Sequence, residues 1–214
     1  MDVLRNILVS LVVMLGCVCV YAGHTINYPV VLSRSEKCCV IHKIELNDSY
    51  TEIFFYYRTP YSTGSWINFN SSTTLKDLNN NKVYYVIDAE GIPLSPGRYE
   101  FSTIGEGVSF SLKFPRISHD AKYIDIKEHL QDGFHFTIKL ESDFDSYSRQ
   151  YKEMQDYINR ECKVWENQQE EYRKRKQVEL NRNETNKNNI LKSETPKSTR
   201  KRKVLKKSSN FKID

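Results

Sequence analysis

A chain of 214 residues has room for one ordinary domain with appendages. Its formal charge of +5 hides an asymmetry: Arg173 to Asp214 hold 15 of the 32 Lys and Arg but only 4 of the 27 Asp and Glu, leaving 17 against 23 before them. A mildly acidic body therefore carries a basic tail. The absence of any C-x-x-C excludes a redox pair or zinc knuckle of that type.

After Arg5 comes an apolar run, "ILVSLVVMLGCVCVYA", with the length of a signal-peptide core and too short for a membrane span. "VYA" before Gly23 fits signal peptidase cleavage, so residues 1–22 are expected to be a signal peptide. "MLGC" offers a second reading, in which Cys17 becomes a lipidated N-terminus. Either way the mature chain is expected to be secreted or periplasmic, with envelope association through Cys17 in the second case. Cleavage leaves Cys38, Cys39 and Cys162, an odd count that is no disulfide framework. Cys38 and Cys39 can be read as a strained vicinal ring or as strand neighbours. The strand reading predicts one buried and one outward thiol, because adjacent strand residues point to opposite faces.

Residues 23–140 are predicted to form one β-domain. "VIHKIEL" alternates, with Val40, His42, Ile44 and Leu46 expected on one side. "TEIFFYYR" has the mixed periodicity of a strand covered on both faces. The turn "NNN" leads into "KVYYVID". In "GIPLSPG" the glycines and prolines rule out a central strand, and a strand rather than a helix follows, so it is read as a turn and not as a phosphate loop. "GEG" marks the next reversal. In "VSFSLKF", Val108, Phe110, Leu112 and Phe114 share one face; in "FHFTIKL", Phe134, Phe136, Ile138 and Leu140 do. Such alternation means a packed face and a wet face. Short strands at regular spacing predict an all-β, immunoglobulin-like antiparallel β-sandwich.

Beyond Leu140 the period changes. Residues 141–180 lack Pro and Gly, and a heptad-like stripe runs through Tyr147, Tyr151, Met154, Ile158, Trp165 and Tyr172. A helix of roughly 35 residues follows, started by Ser142 or Asp143 as cap. It is read either as a coiled coil, giving a homo-oligomer or a protein partner through residues 144–172, or as a helix folded back on the β-domain. Residues 181–214 are polar and charged, and are expected to be a disordered basic tail.

Three segments carry a resemblance. They are Ala89, Glu90, Gly91, Ile92 and Leu94; then Phe110, Leu112, Phe114 and Pro115; then Ile124, Asp125, Ile126 and Glu128, with "WINF" at Trp66 ahead of them. In this order, over roughly residues 35–140, the chain resembles a β-sandwich domain of secreted and periplasmic Bacteroidetes proteins that often precedes a thioredoxin-like module. The resemblance implies a non-catalytic domain at the envelope. No thioredoxin motif follows Leu140 here.

No catalytic, cofactor-binding or metal-binding residues are assigned, and no cofactor is expected. The five histidines show no metal-ligand spacing, and no G-x-S-x-G elbow is present. Asp125 and Glu128 can be read as a carboxylate pair or calcium ligands; the structural reading has Asp125 tying a loop through backbone N–H bonds while Ile124 and Ile126 pack inward. Asn47, Asn70 and Asn183 stand in glycosylation sequons. The strongest charge signal is "STRKRKVLKK", whose Arg200, Lys201, Arg202, Lys203, Lys206 and Lys207 can neutralise a polyanion. An anionic envelope polymer or lipid surface is the expected partner. Nucleic acid is disfavoured, because only Phe211 offers a ring for stacking. The expected function is non-catalytic binding or scaffolding at the envelope. Two alternatives stay open: an accessory part of a redox or hydrolytic envelope system, and a salt-sensitive, non-specific nucleic-acid binder.

Overall fold

The computed structural model describes residues 23–62, 64–128 and 133–193. Residues 1–22 with Cys17, the segment expected to be a signal peptide, His129, and residues 194–214 with the Arg200 to Lys207 cluster lie outside them. In chain order the strands are β1 (His24–Asn27), β2 (Pro29–Arg34), β3 (Cys39–Leu46), β4 (Tyr50–Arg58), β5 (Trp66–Ile67), β6 (Thr74–Asp77), β7 (Lys82–Tyr85), β8 (Asp88–Glu90), β9 (Tyr99–Glu100), β10 (Gly107–Pro115), β11 (Tyr123–Lys127) and β12 (His135–Ser142). One helix, α1 (Phe144–Ser193), follows. No described helix is long and apolar enough to cross a membrane.

The strands form two five-stranded sheets, β1-β3-β4-β10-β8 and β2-β12-β11-β6-β7, with β5-β9 as a separate pair. Every named strand pairing is antiparallel. Chain reversals follow from local chemistry. At the first-to-second sheet crossing between β1 and β2, Tyr28 takes φ 55°. The asparagine turn is built by Asp77, which accepts from the Asn79 N–H at 2.9 Å and the Asn80 side chain at 2.8 Å, with Asn81 at φ 61°. "GIPLSPG" falls between β8 and β9 and contributes no central strand.

The sheets share one core. Phe55 of β4 stacks on Phe110 of β10 at 4.9 Å and reaches Phe136 of β12, in the other sheet, at 5.7 Å. Phe69 joins from the loop after β5, 4.9 Å from Phe134. The alternation of β10 and β12 points Phe110, Leu112, Phe114, Phe136 and Ile138 inward, all at most 4% exposed.

In β3 the expected phase is corrected. Ile41 pairs with Phe55 but Lys43 pairs with Phe54, so His42 is the extra residue of a β-bulge. The bulge resets the inward set to Cys39, Ile41, Ile44 and Leu46. The expected split of the thiols is also overturned, since Cys38 and Cys39 are both buried. Cys38 sits in the turn ahead of the strand, where strand alternation does not apply, and its carbonyl accepts the Arg58 N–H at 2.9 Å.

Asp143 caps α1, accepting the Ser146 N–H at 3.0 Å. The first half of the stripe folds back on the β-domain. Tyr147 packs on Tyr28 at 4.8 Å, Tyr151 stacks on Tyr56 at 6.2 Å, and Met154 and Ile158 are 0% exposed. Arg34 reaches Glu153 at 3.1 Å and Arg58 donates to the Gln155 carbonyl oxygen. Gly105 permits the close approach: with φ 77°, it lies where a Cβ would come within 3.0 Å of the Cys162 sulfur. A coiled coil is therefore corrected for Tyr147 to Ile158, because these residues are spent on the chain's own domain. The helix also outruns its expected end at 180 and continues to Ser193, so residues 181–193 are helical where disorder was expected. No Pro or Gly occurs before Pro196 to stop it.

By compactness the chain divides after Trp165. From Glu166 the helix forms its own unit, held by local pairs such as Glu170 with Lys174 at 2.6 Å and Glu171 with Arg175 at 3.3 Å. Met154→Ala and Ile158→Ala are each expected to cost about 2–5 kcal/mol in chemical denaturation of the full chain. Sedimentation of the two variants should leave the oligomeric state unchanged; a loss of oligomer would restore the coiled-coil reading.

Candidate functional site

The outward face of the first sheet is where the packing leaves a depression. Antiparallel register places Phe54, Ser111 and Glu90 side by side on β4, β10 and β8, with Glu52 and Lys113 in the next row. The serines of β10 are small and their neighbours are large, so the sheet surface sinks along Ser109 and Ser111. The result is a cavity of about 280 Å³ lined by His42, Phe54, Glu90, Gly91, Ser109, Phe110 and Ser111. Its walls are set by two local features. The bulge turns His42 towards it, 6.1 Å from Phe54. Opposite, Gly91 at φ 85° lies so close to β10 that a Cβ there would meet the Ser109 carbonyl at 2.4 Å.

The polar groups around this trough are fixed by one another. Ser111 donates to Glu52 at 2.6 Å, and Lys113 stands 3.7 Å from both Glu52 and Glu90. Glu52, only 5% exposed, is held by these two partners. Its charge raises the Lys113 pKa against the opposing effect of desolvation, with Glu90 adding to the rise. Lys43 caps the Phe54 ring at 3.8 Å from its centroid and pairs with Glu45 at 2.7 Å. Burial, with Lys43 beside it, lowers the pKa of His42, so the imidazole is neutral at neutral pH.

The carboxylates singled out in the sequence serve separate ends. Ile124 and Ile126 pack inward as expected. Asp125, however, accepts from side chains, Thr137 at 2.9 Å and His135 at 2.8 Å, with Ser33 bonded to Thr137 at 3.0 Å. Glu128 is the loop tie: it accepts the backbone N–H of Asn70 at 2.9 Å and of Phe134 at 3.3 Å. Thus neither is left free to work with the other. Among the described residues no three His, Cys, Asp or Glu gather as a metal-ligand set.

Cys38, Cys39 and Cys162 are free thiols. Burial, reinforced by Glu36, pushes the Cys38 thiol up to about 12, and burial raises Cys39 well above its ordinary value. The arrangement does not suit thiolate chemistry.

Sequence reasoning missed the trough, although its signals were present: the serine alternation in "VSFSLKF" and the glutamate inside "TEIFFYYR". Set against known families, curated proteins and solved structures, the chain matches none.

In the native chain iodoacetamide should label half-buried Cys162 and spare Cys38 and Cys39 until denaturant is added, as read by peptide mass spectrometry. For Cys38 the unfolded state loses its proton first, so its contribution to stability is intact below about pH 9 and is lost as pH rises towards about 12 in urea melts. Ser111→Ala, which leaves Glu52 without its hydroxyl donor, should destabilise the chain by about 1–3 kcal/mol in urea melts.

Proposed function

We propose that this chain is a non-catalytic, exported binding or scaffolding protein of the cell envelope. Its body is an immunoglobulin-like antiparallel β-sandwich of the Bacteroidetes secreted type, and its basic C-terminal stretch attaches to an anionic surface. The observation that carries the reading is charge segregation. The segment from Arg173 onward holds 15 Lys and Arg against 4 acidic residues, in a chain whose first residues have the pattern of an export signal. The described part of that segment adds support: Arg173, Lys174, Arg175, Lys176 and Arg182 all lie on exposed helix, free of core packing. Arg200, Lys201, Arg202, Lys203, Lys206 and Lys207 extend the same charge. Each cation near an anionic surface contributes about 1 kcal/mol, falling off within a Debye length of about 8 Å at physiological salt.

The sandwich reading rests on two antiparallel sheets joined through one aromatic core. The non-catalytic reading rests on carboxylates committed to structural bonds and on two thiols held protonated.

The test compares the full mature chain with a version ended after Tyr172. Both are sedimented with phosphatidylglycerol vesicles, with phosphatidylcholine vesicles and with purified anionic wall polymer, at low and high salt. The full chain should bind one or both anionic probes and release in salt, and the shortened chain should stay in solution. The pattern across lipid and polymer identifies the surface. Equal behaviour of the two chains would defeat the proposal.

A further inference from the structure

We propose that the trough over Ser109 and Ser111 binds the ring of a neutral pyranose sugar. The site belongs to the β-domain and does not depend on the basic segment. A pyranose offers a C–H face that packs on an aromatic wall, and hydroxyls that both donate and accept around its edge. Here Phe54 supplies the wall, with His42 6.1 Å away completing that side. Glu90 opposite supplies an accepting carboxylate, and its side chain is 77% exposed, with room to turn onto a ligand. Ser109 is exposed on the floor and can donate or accept.

Charge decides against other ligand classes. No lining residue is a lysine or arginine, so a phosphate, sulfate or carboxylate finds no counter-ion. The nearby ammonium groups are already engaged, Lys43 with Glu45 at 2.7 Å and Lys113 with Glu52 and Glu90 at 3.7 Å. A cationic ligand would have Glu90 alone, and Lys113 offsets that charge. An uncharged polyol meets no such penalty. Size agrees: about 280 Å³ falls just under the range of drug-sized pockets, roughly 300–1,000 Å³, and suits a single ring.

The site is also preorganised. Its backbone walls stand on β3, β4, β8 and β10 of one sheet, and Ser111 is locked to Glu52 at 2.6 Å, so the ordering that accompanies binding falls on the Glu90 side chain.

Saturation-transfer difference NMR on the full chain tests this. The probes are methyl β-D-glucopyranoside, methyl β-D-galactopyranoside, methyl α-D-mannopyranoside and N-acetylglucosamine, with inorganic phosphate (followed by 31P line broadening) and n-butylammonium as charged comparisons. At least one sugar should bind saturably with a millimolar Kd, its ring C–H protons receiving the strongest transfer, and both charged probes should not. Ser109→Trp fills the trough from an exposed position and should abolish binding with an unchanged circular dichroism spectrum. Glu90→Gln, on an exposed side chain, should weaken binding by about three- to tenfold. No saturable sugar, tighter binding of phosphate or butylammonium, or full affinity in Ser109→Trp would each overturn the proposal. Should Ser109→Trp fail to fold, Glu90→Gln decides, and unchanged affinity there overturns it.

Discussion

Phe55 is the contact on which the two sheets depend. It stacks nearly parallel on Phe110, at an interplanar angle of 7°, and reaches Phe69 and Phe136 at 6.3 and 5.7 Å. One ring therefore ties its own strand pair to a loop and to the opposite sheet. Packed aromatic pairs contribute roughly 0.5–1.5 kcal/mol beyond the area they bury. The larger effect is geometric. With Phe55 inward, register places Ile53 and Tyr57 on the same side, and Phe54 and Tyr56 on the other. The inner face fixes the outer one.

That outer face has two fates along its length. At the Tyr56 end α1 covers it, through Tyr151 and the buried Met154 and Ile158. At the Glu52 end a carboxylate network of Glu52, Ser111, Lys113 and Glu90 occupies it instead. An uncovered apolar surface there would invite association. The chain uses serines, paired charges and a capped Phe54 ring in its place. The trough is the boundary between these regimes, where side chains are too small to fill the surface and too polar to need cover.

How much of this was legible in the sequence follows from which forces are local. Period-two alternation reports burial directly, so β10 and β12 could be read with their inward residues. Asp143, the asparagine turn and the glycine–proline reversal are local chemistry and were equally visible. The exposed helix beyond residue 180 was not, because polar composition there resembles disorder and the distinguishing feature is only the lack of a breaker before Pro196. The burial of Cys38 depends on tertiary cover, which spacing does not encode. Asp125 was read as a loop tie through backbone N–H bonds, but its partners are side chains and the tie is Glu128; a partner 58 residues away in sequence, such as Asn70 for Glu128, cannot be chosen by pattern.

The β-bulge at His42 shows how one residue connects the core to the surface. Regular pairing through "VIHKIEL" would keep Val40, His42, Ile44 and Leu46 on one side. The core needs Ile41 opposite Phe55 and Ile44 opposite Ile53, which is one residue out of step. Inserting His42 meets both demands. The strand's first half then turns Cys39 and Ile41 to the core with Val40 also buried, and its second half turns in Ile44. The cost is an imidazole displaced from the ladder, set beside Phe54 at the rim of the trough and kept neutral by burial and Lys43. A requirement of the interior thereby places a hydrogen-bonding side chain on the exterior, at the rim of the trough.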